Sequence, residues 1–361
     1  MIRESQSIMR KNFCAAPWSG LSLNPNGKGA VCCINLDQSP IKNFIEVKNN
    51  SVFKNIRTAV INDERHPSCQ QCWQREDNGD INSRRSTYQY NDFFHDLNSN
   101  NSFQLEHLDI RWSNTCNLNC VYCGPDLSSK WADLKGINKK FRIFPTITNT
   151  DLINLKFLQL AGGEPFLIKE NYELLDRLLK INPSIKIELT TNLTSIRNNK
   201  IYQLLKNFDN VTFVISFEST GRQFEYIRNG ANWAEFRSNL DQLCLDFSDI
   251  QTNMIYFPLS AVGISDAIDI ALDYTLPDNI FIVSQIGGHG FDFVGQNALQ
   301  LINHKNIEYS KQLPTVLQQR LLEQIQLAKT QRQITYLPLY EEFDQLTNQD
   351  HRLIFPELFN D

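Results

Sequence analysis

Eight of the nine cysteines lie in the first 123 residues, at positions 14, 32, 33, 69, 72, 116, 120 and 123, and Cys244 stands apart. Thiols this dense form either a disulfide framework or a set of metal ligands. Disulfide frameworks belong to small secreted domains. A chain of 361 residues buries a sizeable core without such staples. The opening residues MIRESQSIMR lack the apolar stretch of a signal peptide. No apolar run reaches the roughly 18 residues that a membrane span needs. A cytoplasmic location is therefore expected, and in a reducing compartment clustered thiols read as metal ligands or redox groups. Composition fits an ordinary globular protein, with 41% hydrophobic and 21% charged residues. The net charge of -5 gives no support for a general nucleic-acid binder.

The texture of the chain changes near residue 100. Before it, loops and short strands are expected, with Asn24-Pro25-Asn26-Gly27 as a strong turn between Leu21, Leu23 and Ala30, Val31. The polar stretch 91–102 reads as a linker. After it, strands are expected at 105–112, 156–161, 185–189, 211–217, 252–257 and 279–285. Helical patterns fall between them, at 169–181, 233–245 and 266–274, and a further helix is expected at 314–330. Six strands alternating with helices imply a parallel sheet in an α/β fold. Right-handed crossovers would curl it into a partial (β/α)6 TIM-like barrel, with the chemistry at the C-terminal strand ends. The expected division is a small Cys-rich domain with linker at 1–100, a core at 101–290 and a C-terminal helical extension at 291–361 packing on that core. Gly287-Gly288-His289-Gly290, after the sixth strand, reads as a solvent loop.

Cys116-Asn-Leu-Asn-Cys120-Val-Tyr-Cys123 follows the first of these strands. Three thiolates at such spacing suit three irons of one cubane cluster and leave the fourth iron open. Ala161-Gly162-Gly163-Glu164-Pro165 follows the second strand. Paired glycines let backbone approach a ligand, and a carboxylate suits an ammonium group. Together these motifs resemble those of radical S-adenosylmethionine (SAM) enzymes, over residues 105–290. The resemblance implies a [4Fe-4S] cluster on Cys116, Cys120 and Cys123. It implies that Gly162, Gly163 and Glu164 meet the methionine amino group of SAM, and that Tyr122 lies beside the adenine. Asn192, with Thr190 and Thr191, and Ser216 with Glu218 match positions near the ribose and carboxylate of SAM. Arg228 is expected either to pair with a carboxylate or to lie solvated on the surface. Helix capping is the plainer role for the strand-end polar residues.

Cys14 and Cys32 flank Gly27, with twelve residues before the glycine and four after it. This is similar to the CX9–15GX4C signature of SPASM and twitch domains, which carry an auxiliary [4Fe-4S] cluster. Cys69-Gln-Gln-Cys72 adds two thiols from one tight turn, so Cys14, Cys32, Cys69 and Cys72 complete a four-thiolate set. Cys33 competes with Cys32, because neighbouring strand residues point to opposite faces; the GX4C spacing favours Cys32. Such domains usually follow the core, whereas here the thiols precede it. Structural zinc on the four thiolates is the rival reading. Cys244, on the stripe of Leu240, Leu243 and Phe247, is expected in the core.

The resemblance implies one-electron cleavage of SAM to a 5'-deoxyadenosyl radical, which takes hydrogen from an unidentified peptide, sugar or small metabolite. An electron relay is expected of the auxiliary cluster. It also implies a reductant such as flavodoxin or ferredoxin. No particular residue is expected as catalytic acid, base or hydrogen donor. A non-catalytic iron–sulfur electron-transfer protein and a zinc-stabilised binding module are the alternatives.

Overall fold

A computed structural model describes residues 12–77, 103–138, 141, 143, 145–284, 294–330 and 337–359. The expected linker at 91–102 and the loop Gly287–Gly290 lie outside the described residues. The protein is mixed α/β with a parallel sheet, and the chain divides into two compact units.

The first unit comprises residues 1–113, 141–162 and 176–187. Its strands are β1 (Gly20–Leu23), β2 (Lys28–Ala30), β3 (Ser39–Pro40), β4 (His107–Ile110) and β5 (Phe157–Leu160), in the order β3-β2-β1-β4-β5. The Asn24–Gly27 turn closes on hydrogen bonds from Gly27 N to Asn24 O (3.0 Å) and from Asn24 N to Lys28 O (2.9 Å). It returns the chain as an antiparallel hairpin, Ser22 facing Ala30. β1 then pairs in parallel with β4, Ser22 beside Asp109, and β4 with β5, Asp109 beside Gln159. Leu21, Leu23, Leu108, Ile110, Leu158 and Leu160 are all buried, and so are Ser22, His107, Asp109 and Gln159, which alternate with them, so both faces of these strands are covered.

Besides the single turn Ala16–Ser19, three helices replace part of the loop structure expected before residue 100: Ile45–Asn49, Ser51–Ile61 and Gln70–Asp77. The second starts where the Asn50 side chain accepts from Val52 N (3.0 Å), an ordinary N-cap. It buries Phe53, Ile56 and Val60 on one face, together with Arg57. The Arg57 guanidinium lies on that buried face. It donates to the carbonyls of Pro17, Lys48 and Val47 at 3.0, 3.0 and 2.9 Å. Burial lowers its pKa to about 10.

The second unit comprises residues 114–140, 163–175 and 188–361. β6 (Lys186–Thr191) carries the chain into it, and the order there is β6-β7-β8-β9, with β7 at Val211–Ser216, β8 at Ile250–Tyr256 and β9 at Ile280–Ser284. β7 pairs in parallel with β8, and β8 with β9. Its first five residues are buried, as expected of a strand covered on both faces. All six strands expected after residue 105 are present. The helix Lys169–Ile181 has the expected limits. The helix expected at 266–274 instead spans Pro258–Leu272, with Pro258 in its first turn. Its first eight residues are all buried, so they show no polar face to betray a helical period. Helix Thr315–Thr330 packs on β9. Cys244 is half-buried rather than in the core, which is made here by Leu240 and Leu243.

Candidate functional site

The segment 116–123 follows β4 and is held from behind. Ser129 Oγ accepts from Cys116 N (3.1 Å) and donates to Cys116 O (3.3 Å). Ser128 Oγ donates to Leu118 O (2.6 Å), and Trp131 Nε1 to Cys120 O (2.8 Å). Asn119 N and Val121 N donate to Asn229 O and Ile227 O at 3.1 and 2.8 Å. These bonds consume the backbone groups of the loop and leave its sulfurs for other partners. Burial, the largest cause, pushes the thiols of Cys116 and Cys123 up to about 12 and that of Cys120 to about 11. Cys120 further raises both of the others, so the three sulfurs share one locale. Such thiols stay protonated until a cation arrives, and metal loading would then release their protons.

Gly163 and Glu164 face this loop. Glu164 N donates to Thr115 O (2.7 Å). A Cβ on Gly163 would lie 2.0 Å from that same carbonyl, so only glycine allows the approach. Gly162 sits at φ +115°, in the left-handed region, with Ser113 O 3.2 Å from where its Cβ would be. Glu164 is fully buried. Its Oε1 accepts from Thr191 Oγ1 (2.7 Å) and Phe166 N (3.3 Å), and its Oε2 accepts from Asn192 N (2.9 Å). A carboxylate has about four acceptor positions, so one remains. Burial raises its pKa to about 7, against the pull of these three donors. An ammonium at the free position would restore the charged form.

Asn192, at the end of β6, reaches Cys116 Sγ (4.0 Å) and Asn117 Oδ1 (3.1 Å) through its amide. Glu218 and Arg228 find each other: Arg228 Nη2 lies 2.7 Å from Glu218 Oε2, with both side chains buried. Arg228 is therefore not solvated. Its guanidinium stands 5.6 Å from the centre of the Tyr122 ring and lowers the pKa of Cys120, against burial. Tyr122 also hydrogen-bonds to Glu218; among the described residues Glu218 Oε1 and Arg228 Nε are buried without a hydrogen-bond partner, two polar atoms that suit a polar ligand beside the loop. Ser216 ends β7, opposite Asn253 in the ladder. The second unit thus brings together Cys116, Cys120, Cys123, Tyr122, Gly163, Glu164, Asn192, Glu218 and Arg228. Sequence reasoning missed the braces Ser128, Ser129 and Trp131, which act through backbone groups and carry no motif.

The first unit holds a separate site. Cys14, Cys32, Cys69 and Cys72 line one apolar pocket with Asn35 and His66, and Cys33 is not among its lining residues. Cys69 closes a 3-10 turn, Pro67–Cys69, and Cys72 lies in the helix that continues from it. CxxC is thus one helical stretch rather than an isolated turn. Burial pushes Cys69 up to about 11, and Cys72 adds to the rise. A single zinc ion would need all its sulfurs at about 2.3 Å and hence close to one another. Among the described residues, the trio of possible ligand atoms lying within 4.8 Å of one another is Asp344, Asp350 and His351, not a set of thiols. Asp344 there is engaged by Tyr226 and His351.

Residues 110–260 match the model of the Radical SAM superfamily. The chain carries a radical SAM domain. All three loop thiols, the glycine pair and Glu164 fall inside the match, and the family it names implies SAM and a [4Fe-4S] cluster. Cys14, Cys32, Cys69 and Cys72 fall outside it. Among curated proteins, the chain is similar to a GTP 3',8-cyclase of Clostridium botulinum, 29% identical over 89 residues, 25% of this chain and 28% of that protein. It is also similar to an uncharacterized protein of Methanocaldococcus jannaschii, 33% identical over 116 residues, 29% of this chain and 36% of that protein. The aligned parts therefore span little more than a third of these relatives at most. Among solved structures, Streptococcus suis SuiB bound to the precursor peptide SuiA gives a TM-score of 0.41 at 16% identity, covering 70% of this chain and 62% of that one. The structure of anSMEcpe with bound AdoMet gives 0.40 at 16% identity, covering 57% and 60%. No described helix is long and apolar enough to cross a membrane.

Proposed function

We propose that this protein is a two-cluster radical SAM enzyme that abstracts hydrogen from a peptide, sugar or small metabolite. Three half-buried thiols sharing one loop, with the fully buried Glu164 coupled to Cys116, carry this reading. The bound cofactors supply one-electron cleavage of SAM and, from it, hydrogen-atom abstraction. The chain supplies the rest. Cys116, Cys120 and Cys123 hold the first cluster. Glu164 accepts the methionine ammonium at its remaining position, beside the glycine backbone. Asn192 and Ser216 stand at the strand ends for the ribose, and the open atoms of Glu218 and Arg228 serve the polar groups of SAM. Tyr122 packs beside the adenine. The low-polarity setting of these side chains keeps water from the reacting carbon.

Cys14, Cys32, Cys69 and Cys72 hold an auxiliary [4Fe-4S] cluster in the pocket of the first unit, a twitch-like domain placed before the core. Four thiols around one apolar pocket support this, as does the lack of a zinc-like cluster of sulfurs among the described residues. Its work is electron transfer during turnover, and the reductant is of the flavodoxin or ferredoxin kind. The sequence boundaries at residues 100 and 290 are retained as those of the functional segments.

Anaerobic reconstitution tests the whole reading. About eight irons per chain and release of 5'-deoxyadenosine from SAM under dithionite are expected. Zinc in place of iron, or intact SAM with both clusters loaded, would overturn it. Deuterium appearing in 5'-deoxyadenosine from a labelled candidate then identifies the substrate.

A further inference from the structure

Two side chains of the first unit act on one thiol of the pocket, Asn35 and Ser68 on Cys69, and Asn35 lines the pocket itself. Asn35 is 4% exposed, and its amide Nδ2 lies 3.3 Å from Cys69 Sγ. The same nitrogen lies 3.0 Å from Ser68 Oγ and 3.4 Å from Ser68 O. Ser68 Oγ is in turn 2.8 Å from His66 Nδ1. Backbone bonds fix the other end. Asn35 N donates to Cys32 O (3.2 Å), and Leu36 N donates to Ser68 O (3.1 Å). Asn35 therefore ties the turn that presents Cys32 to the turn that presents Cys69. The surrounding wall is apolar, including Val31, Ile34, Ile56 and Val60.

We propose that Asn35 is a positioning residue for the auxiliary cluster whose amide donates to the Cys69 sulfur and raises the reduction potential of the cluster. This rests on the reading of the pocket as a cluster site. Reduction adds negative charge that spreads onto the ligand sulfurs. A donor aimed at one of them stabilises the reduced form more than the oxidised form. In an apolar wall that preference is weakly screened. The neighbouring Ser68 hydroxyl sets the direction of the amide, and backbone bonds on both sides keep it from turning away. Asn35 serves this cluster alone, because every contact described for it lies within the first unit.

The test uses the full chain with Cys116, Cys120 and Cys123 replaced by Ala, reconstituted with iron and sulfide, so that only the auxiliary cluster contributes. Electron paramagnetic resonance during a dithionite titration gives its midpoint potential. Asn35→Leu, close in shape and without a donor, is expected to load the same iron and disfavour reduction about tenfold, a fall of about 59 mV for one electron. Ser68→Ala, which removes the hydroxyl partner of the amide and the second side-chain hydrogen bond to Cys69, is expected to shift the potential the same way. In deuterated buffer, pulsed resonance is expected to show an exchangeable deuteron coupled to the cluster, absent in Asn35→Leu. An unchanged potential in both variants overturns the role of Asn35 and leaves the cluster site standing. Loss of loading in a folded Asn35→Leu protein makes the residue a purely structural clamp and also overturns it. Failure of the triple-alanine protein to take up any cluster overturns the pocket reading itself, and the role of Asn35 with it.

Discussion

The loop and the pocket hold their thiols in opposite ways. In the loop, three sulfurs come from one eight-residue segment, and every brace grips the backbone: Ser129 at Cys116, Ser128 at Leu118, Trp131 at Cys120. In the pocket, sulfurs come from three separate stretches, near residues 14, 32 and 69–72, and side chains wall them in. A loop braced from behind leaves one side for a second ligand, which suits a cluster with an exchangeable iron. A walled set of four satisfies its metal entirely from the protein. Rigidity is thus local in one site and distributed in the other.

The largest expected effect breaks that comparison at the thiols. Cys120→Ala is expected to abolish 5'-deoxyadenosine formation. Cys69→Ala with Cys72→Ala is expected to retain it while iron falls from about eight to about four per chain. Equal loss of SAM cleavage in both would erase the distinction between the sites.

Next comes Glu164. At pH 8 Glu164→Gln is expected to weaken SAM binding by about 10- to 100-fold, the scale of a charged hydrogen bond. Calorimetry under anaerobic conditions reads it. The wild-type carboxyl, raised from 4.5 to about 7 by burial, is protonated below that pH and no longer attracts an ammonium. Wild-type affinity therefore falls as pH drops through about 7, and the Gln variant shows no such fall. Stability runs the other way in the SAM-free protein. A raised folded-state pKa stabilises below 4.5, and that contribution disappears as pH rises through about 7. Denaturation of the Gln variant across that window is expected to lack this slope.

Two backbone tests sharpen the contrast within the loop region. Gly163→Ala puts a methyl against Thr115 O and is expected to cost about 3 kcal/mol with loss of the first cluster. Gly124, with nothing within 4 Å of its Cβ position, is expected to accept Ala within about 0.5 kcal/mol. Urea unfolding and iron content measure both. The smallest pair compares the two scaffolds. Arg57→Leu strands three carbonyls beside the pocket and is expected to cost about 3 kcal/mol, while Ser129→Ala in the loop costs about 1 kcal/mol. Equal values would mean that the two sites are braced alike.

The chemistry was legible where it is written in consecutive residues. The CxxxCxxC segment and Ala161–Pro165 carry their meaning in spacing, and the helix Lys169–Ile181 announces itself by a polar and an apolar face. Long-range pairing was not legible. Nothing in Gly20–Leu23 signals a parallel partner at His107–Ile110, because a strand's partner is chosen by the finished sheet. The helix Ser51–Ile61 was hidden by its Asn-rich surroundings. Arg228 was expected to pair with a carboxylate or lie solvated; which carboxylate was not legible, because the ten-residue step between it and Glu218 carries no pairing signal.

The pocket has a consequence for the order of assembly. Every described residue lining it lies between Cys14 and Trp73. The loop at 116–123 instead leans on the carbonyls of Ile227 and Asn229. Synthesis proceeds from the N-terminus, and domains fold as their parts emerge. The first thiol group to have all its walls is therefore the one outside the radical SAM domain. A ribosome still working through β7 holds a chain whose early thiols are already gathered, while the later trio waits for its back support. On the two-cluster proposal, iron delivery to this protein then meets two targets in sequence rather than two at once.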